Sequence, residues 1–222
     1  MPRRDLGDWS PIYLGGILAW IAADDPRMTL TNNASIDFWP DQSVGGKNSI
    51  GLETGTGRPT WVASAQGSKP AFSFSYPSFQ KISNAVPTDG ILWCMAVFNF
   101  TKGAAFDSTT SNLIDEYISS GGAAMIQGLA STTTLNNTNI MYVNNVVAAG
   151  HPDITPLSTT RIVYHQRSAA VAYNSGLNMG RTGTGGFSWG GTMSEMLIGK
   201  TALTTHERTL LFAYLNEKYG VY

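Results

Sequence analysis

One stretch of this chain reads as a helix, and it comes last. Between Thr204 and Tyr219, the residues Leu210, Leu211, Tyr214, Leu215 and Tyr219 fall at helical spacing on one face. Thr204 is a good N-cap, Glu207 three positions on makes a capping box, and Gly220 is placed to close the helix as its C′ residue. Just upstream, Gly190 to Gly199 reads as a strand, and almost everything before it is strand-like and rich in turns. A lone helix in such a chain has no bundle to join, so it must dock against a sheet. The expected fold class is all-β with one C-terminal α-helix.

Turn signals recur at short intervals from Asp24 onwards. They include Asp24-Asp25-Pro26, Asn32-Asn33, Val44-Gly45-Gly46-Lys47, Thr88-Asp89-Gly90, Asn136-Asn137 and Asn174-Ser175-Gly176. Runs rich in β-branched and aromatic residues lie between them, a spacing that predicts a sandwich or barrel. Ala71 to Tyr76 alternates strictly and should have one buried and one wet face. Ile91 to Val97 is continuously apolar, as expected of a central strand covered on both sides, and Gly16 to Ala22 reads as the first core strand. No internal repeat, linker or low-complexity tail interrupts the pattern, so one compact domain is expected.

Charge narrows the partners. Charged residues make up 13% of the 222, against about 25% in an average globular protein, so Ser, Thr, Asn, Gln and Gly must cover much of the surface. With a formal net charge of −1 and no concentration of Lys or Arg, nucleic acid is not an expected partner. Arg3 and Arg4 before the apolar stretch Pro11 to Ala23 superficially resemble a signal peptide. Asp5, Asp8, Trp9, Gly15 and Gly16 break that pattern, and about 13 residues are too few to cross a bilayer. Neither an export signal nor membrane insertion is expected. Cys94 is the only cysteine, so the fold does not depend on an intrachain disulfide.

Several motifs in order carry a family resemblance. Gly15-Gly16-Ile17-Leu18-Ala19-Trp20, Ala23-Asp24-Asp25-Pro26, and Phe38-Trp39-Pro40-Asp41-Gln42-Ser43 with Gly45-Gly46-Lys47-Asn48 open the chain. Arg58-Pro59-Thr60 and Gly67-Ser68-Lys69-Pro70-Ala71-Phe72-Ser73-Phe74 follow, and Gly191 to Ile198, Leu203 to Arg208 and Tyr214 to Gly220 close it. This order is similar to that of laminin-G-like domains of the bacterial and phage type, in the concanavalin A-like lectin/glucanase superfamily. The resemblance covers roughly half of the chain and leaves the middle, from about Phe79 to Phe187, as generic strands. It implies a two-sheet antiparallel jelly-roll sandwich over residues 14–222, preceded by an N-terminal arm at residues 1–13. Where the family has acidic residues after its Pro-Ala strand, this chain has Ser75-Tyr76-Pro77-Ser78-Phe79. With those acids goes a plausible cation-binding cluster.

Catalytic parts are sparse. Retaining glycanases need two carboxylates about 5–5.5 Å apart, which on a strand means positions i and i+2 or i+4. The one carboxylate pair in an expected strand is Asp115-Glu116, whose side chains point to opposite faces, and Glu195 stands alone in its strand. His151, His165 and His206 are scattered and form no metal-ligand spacing. The glycine run Gly180 to Gly186 leads into no helix and is no phosphate loop. No catalytic residue, metal or cofactor is expected.

Aromatic residues with polar neighbours are the better ligand candidates, because sugars stack on aromatic faces while amides orient their hydroxyls. Trp61, Tyr76, Tyr142, Asn144 and Trp189 are the candidate carbohydrate-binding residues, whereas Trp20, Trp39 and Trp93 lie in apolar contexts and are read as core. In the arm, Trp9, Ile12 and Tyr13 are candidate anchors for assembly. The expected function is a non-catalytic surface or structural component of a virus-like particle, such as a phage virion decoration, fibre or tail-associated protein. Its expected place is the virion surface or another extracellular site, in many copies, with virion proteins and cell-surface glycans as partners. Two alternatives stand beside it: a free carbohydrate-binding lectin domain, and a glycoside hydrolase or lyase with an atypical acid pair.

Overall fold

The computed structural model describes residues 9–36, 38–44, 50–51, 58–75, 82–84, 90–100, 111–116, 126–128, 140–150, 152–153, 155–156, 158–171, 177–179 and 190–222. After a single 3-10 turn at Pro11–Tyr13 come β1 (Ile17–Ala22), β2 (Phe38–Trp39), β3 (Ile50–Gly51), β4 (Thr60–Gln66) and β5 (Lys69–Phe74). The middle of the chain supplies β6 (Ile82–Asn84), β7 (Ile91–Phe100), β8 (Ser111–Glu116), β9 (Ile126–Gly128), β10 (Ile140–Val143) and β11 (Val146–Val147). The last elements are β12 (Arg161–Val171), β13 (Leu177–Met179), β14 (Gly191–Gly199) and helix α1 (Thr205–Tyr219). Of β3, β6, β8, β9 and β13 only the backbone is described.

The main sheet runs β11-β10-β12-β7-β14-β5-β4, with β1 also joined to β14. A smaller sheet runs β6-β13-β8-β9, and β2 pairs with β3. All these pairings are antiparallel. The chain is mostly antiparallel sheet with one C-terminal helix, as its pattern predicts.

The apolar run at Ile91 forms β7, between β12 and β14. Its alternate residues serve two cores. Cys94, Ala96 and Phe98 pack on one face with Phe72, Trp39, Val163 and Met196. Trp93, Met95 and Val97 pack on the other with Tyr164, Leu197 and the helix. Trp20, Trp39 and Trp93 are all buried, in keeping with the core reading of each. Gly199 lies opposite Trp93, and a Cβ there would collide with the indole. The missing side chain lets the ring lie across the strand, where its N–H donates to the Thr201 carbonyl at 2.7 Å. On β5 the expected strict alternation is not kept: Ala71 and Phe72 are both buried, so this strand is covered on both faces.

Helix α1 has the expected ends. Glu207 N–H donates to Thr204 Oγ1 at 3.2 Å, and Glu207 Oε2 accepts from Thr204 N–H at 2.8 Å. Gly220 takes φ 62°, and its N–H closes on Asn216 O. The buried face is Leu211, Phe212, Leu215 and Tyr219, with Leu210 only half-buried. The stripe is thus rotated towards Phe212 relative to the face read from spacing, because Phe212 fills the gap beside Tyr142, their ring centroids 6.4 Å apart.

One irregularity in β14 sets the helix in place. Met193 is opposite Phe98 and Glu195 opposite Val97, so Ser194 is an extra residue that bulges out of the ladder. A bulge of this kind reverses the face of every later side chain. Met193 therefore sits in the core away from the helix, whereas Glu195 and Leu197, at the same sequence parity, face it. Ser194 remains satisfied, its O accepting from Ala23 N–H and its hydroxyl donating to Pro70 O. Glu195 is fully buried and accepts from Trp20 Nε1 at 2.7 Å, Lys218 Nζ at 2.7 Å and Tyr219 OH at 2.8 Å. Lys218 also reaches Asp24 at 2.8 Å. Burial alone would lower the Lys218 pKa, but the Glu195 carboxylate outweighs it and holds the ammonium above its usual range.

His165 on β12 is also buried, between Met141 of β10 and Cys94 of β7, and its Nδ1 has no hydrogen-bond partner. Burial, aided by the positive charge of Arg167, pushes its pKa down to about 4.

Three outcomes are expected. Leu215→Ala should destabilise the fold by about 2–5 kcal/mol by opening a cavity under the helix, and an unchanged melting temperature would show the helix to be peripheral. Lys218→Met should cost about 3 kcal/mol, since it leaves a buried carboxylate without its cation; urea denaturation measures this directly. His165 binds a proton in the unfolded chain below its ordinary pKa of about 6.5, but in the folded chain only near 4. Stability should therefore fall by about 3 kcal/mol as pH drops from 7 to 4. His165→Gln should remove that part of the pH dependence, and identical pH profiles for both proteins would refute the assignment.

Candidate functional site

An open cleft of about 320 Å³ lies where the N-terminal turn meets the chain after β2. Ile12, Tyr13, Leu14, Gly15, Gly16, Ile17, Trp20, Ser43 and Val44 line it. The turn forms because Pro11 suits the first position of a short helix and the Ser10 hydroxyl accepts from Ile12 N–H. Tyr13 N–H and Leu14 N–H then close on Ser10 O and Pro11 O. Leu14 turns inward, while Ile12 and Tyr13 stay on the surface, Tyr13 being 70% exposed. Gly16 at φ 79° carries the chain into β1, and a Cβ there would stand 2.5 Å from Thr201 Oγ1. Glycine alone allows that approach.

The opposite wall is the turn after Trp39. Asp41 is buried and accepts from Trp20 N–H at 2.9 Å, Ser43 N–H at 2.8 Å and Ser43 Oγ at 2.9 Å. Gln42 N–H in turn donates to Trp20 O. Arg27 braces the turn through Asp41 O at 3.0 Å and holds Asp25 with both side chain and backbone. Burial opposes ionisation of Asp25, but the Arg27 hydrogen bonds win and keep its pKa below the ordinary value. The turn leaves Val44 at the rim, 79% exposed.

Thus the cleft has the exposed Tyr13 at one edge and a mainly apolar lining that includes the buried Trp20. Trp20 spends its indole N–H on Glu195, and Ser43 spends its hydroxyl proton on Asp41. The buried carboxylates Asp25, Asp41 and Glu195 are all saturated by internal donors, which makes them structural. Among the described residues, no group of three His, Cys, Asp or Glu side chains is placed to hold a metal ion. No helix among them is long and apolar enough to cross a membrane.

The carbohydrate candidates from the sequence do not converge. Trp61 is half-buried against the main core and donates its indole N–H to Ala23 O at 2.9 Å. Tyr142 lies on the helix side of the sheet, with the Arg208 guanidinium stacked 4.2 Å over its ring. Asn144 and Asn145 take positive φ (51° and 63°) in the two-residue turn between β10 and β11, and Asn144 Oδ1 accepts from Ile162 N–H. Tyr76 and Trp189 lie outside the described residues.

The arm candidates divide. Trp9 packs edge-on against Tyr214 of the helix, with centroids 6.0 Å apart, whereas Ile12 and Tyr13 line the cleft. Asp115 and Glu116 are neighbours on β8, of which only the backbone is described. His206 is exposed and His151 lies outside the described residues. Sequence reasoning missed the cleft because it assigned Tyr13 to an arm and Trp20 to the core. The available signal was the aromatic residue set directly before Leu14-Gly15-Gly16.

No protein-family model matches the chain, and no curated protein matches it in sequence. Its fold is similar to that of solved structures of a Trypanosoma rangeli enzyme. One is a mutant of that sialidase displaying trans-sialidase activity, with TM-score 0.55 and 11% identity over 93% of this chain and 34% of that one. Another is the sialidase in complex with 2,3-difluorosialic acid as a covalent intermediate, with TM-score 0.51 and 11% identity over 92% and 34%. The complex with sialic acid gives TM-score 0.51 and 10% identity over 93% and 34%. This chain spans about a third of the length of those proteins, and at such identity the likeness is one of β-rich fold alone.

Proposed function

We propose that this chain is a non-catalytic, lectin-like module at the surface of a virus-like particle, a phage virion decoration, fibre or tail-associated protein that contacts glycans. The observation that carries the proposal is the open cleft at Tyr13, Trp20 and Val44, an aromatic-rimmed site on a domain whose described buried carboxylates are engaged in holding the fold. Residue order in the terminal motifs supports a jelly-roll sandwich of the concanavalin A-like type, and the antiparallel main sheet is compatible with it. The sialidase structures suggest the first ligands to try, since their titles name sialic acid and a difluoro analogue.

Three measurements test the proposal. Mass spectrometry of purified particles should find the protein among their surface components; its absence from particles would remove the virion role and leave a free lectin. A glycan array should show saturable binding by the isolated protein. A reducing-sugar assay against host polysaccharide should stay at background, and sustained release of sugar would establish the hydrolase alternative instead.

A further inference from the structure

We infer that the cleft selects an uncharged sugar and rejects anionic ones, including the sialic acid bound by its structural neighbours. The inference rests on the glycan-binding reading above and adds the ligand class. Cleft shape and lining come first. Tyr13 offers an exposed aromatic face and Val44 an apolar rim on the other side, and about 320 Å³ is at the small end of ligand sites, the scale of a single pyranose. A side chain at Gly15 would meet nothing within 4 Å, so the wall stays open there.

Hydrogen-bond capacity points the same way. Several donors in the lining are consumed inside the protein: Trp20 Nε1 by Glu195, Trp20 N–H, Ser43 N–H and Ser43 Oγ by Asp41, and Tyr13 N–H and Leu14 N–H by the 3-10 turn. Tyr13 adds an exposed phenol hydroxyl, which can both donate and accept. What Ser43 still presents is its oxygen lone pairs. Such a mixed lining suits hydroxyls, which donate as well as accept, better than a carboxylate, which only accepts.

Charge settles the class. The lining residues carry no cation, and two of them are bonded directly to buried carboxylates. Among the described residues behind the lining, Asp24, Asp25, Asp41 and Glu195 stand against Arg27, Lys218 and Lys200, whose backbone N–H is joined to Gly16 O, four formal negative charges to three positive. An anion in the cleft would therefore face carboxylates one bond behind its wall without a counter-charge in the lining.

The experiment titrates the full-length protein, by calorimetry and saturation-transfer NMR, with methyl glycosides of glucose, galactose, mannose and N-acetylglucosamine, and with N-acetylneuraminic acid. At least one uncharged glycoside should bind at least about tenfold more tightly than N-acetylneuraminic acid, and Tyr13→Ala should weaken that binding by about tenfold or more. Val44→Lys, at an exposed rim position, should raise affinity for N-acetylneuraminic acid by about threefold to fivefold. Equal or tighter binding of N-acetylneuraminic acid, lost in Tyr13→Ala, overturns the inference while the glycan-binding reading survives. Binding of uncharged sugars that Tyr13→Ala leaves intact also overturns it, by moving the site elsewhere. If no sugar of either class binds, both fall.

Discussion

The buried carboxylate of Glu195 is the point on which the rest of this structure turns. It lies in β14, beside the central strand β7, and gathers the Trp20 indole from β1 with the ammonium of Lys218 and the phenol of Tyr219 from the helix. A charge so far from water is tolerable only when it is paired and hydrogen-bonded, and here three donors, one of them a cation, converge from two elements. Each must therefore sit in one place. The helix cannot slide along the sheet without uncovering the carboxylate, and Trp20 cannot turn without losing its partner. The apolar contacts of Leu211, Phe212 and Leu215 supply most of the attraction, since they remove the larger area from water, while the ion pair fixes position.

Much of this was legible in the sequence. The helix ends could be read from Thr204, Glu207 and Gly220 because capping is local chemistry, decided within a few residues. The central strand at Ile91 was equally plain, since a strand covered on both faces needs apolar residues at every position. The role of Glu195 was hidden. Counting by twos from Met193 puts Glu195 and Leu197 on the same face as Met193, and only the bulge at Ser194 separates them. Nothing in the run Thr192-Met193-Ser194-Glu195 announces a bulge, because its cause is the change of neighbour from β5 to β1 along β14. Register against distant strands is a tertiary property.

The candidate site shows the same division. Trp61 and Tyr142 were chosen for their polar sequence neighbours, yet polar neighbours on a strand say little about what lies across the sheet. Trp61 finds the Ala23 carbonyl and Tyr142 finds Arg208, both far away in sequence. Conversely, the cleft joins residues near 13 with residues near 43, and its two walls are held together through the backbone of Trp20. Binding surfaces made by loops from separate parts of a chain leave almost no local imprint, whereas the scaffold that carries them does.

Strand β14 joins β7, β5 and β1 at once, although it follows all three in sequence. During synthesis β1, β5 and β7 must wait with open edges until β14 has emerged, and contacts over such sequence separations form slowly. Open edges of this kind invite pairing with other chains. A ribosome that stops short of Gly191 would release a chain that has its apolar strands but not the piece that brings them together. The exposure ends when β14 and α1 arrive, strand and helix together.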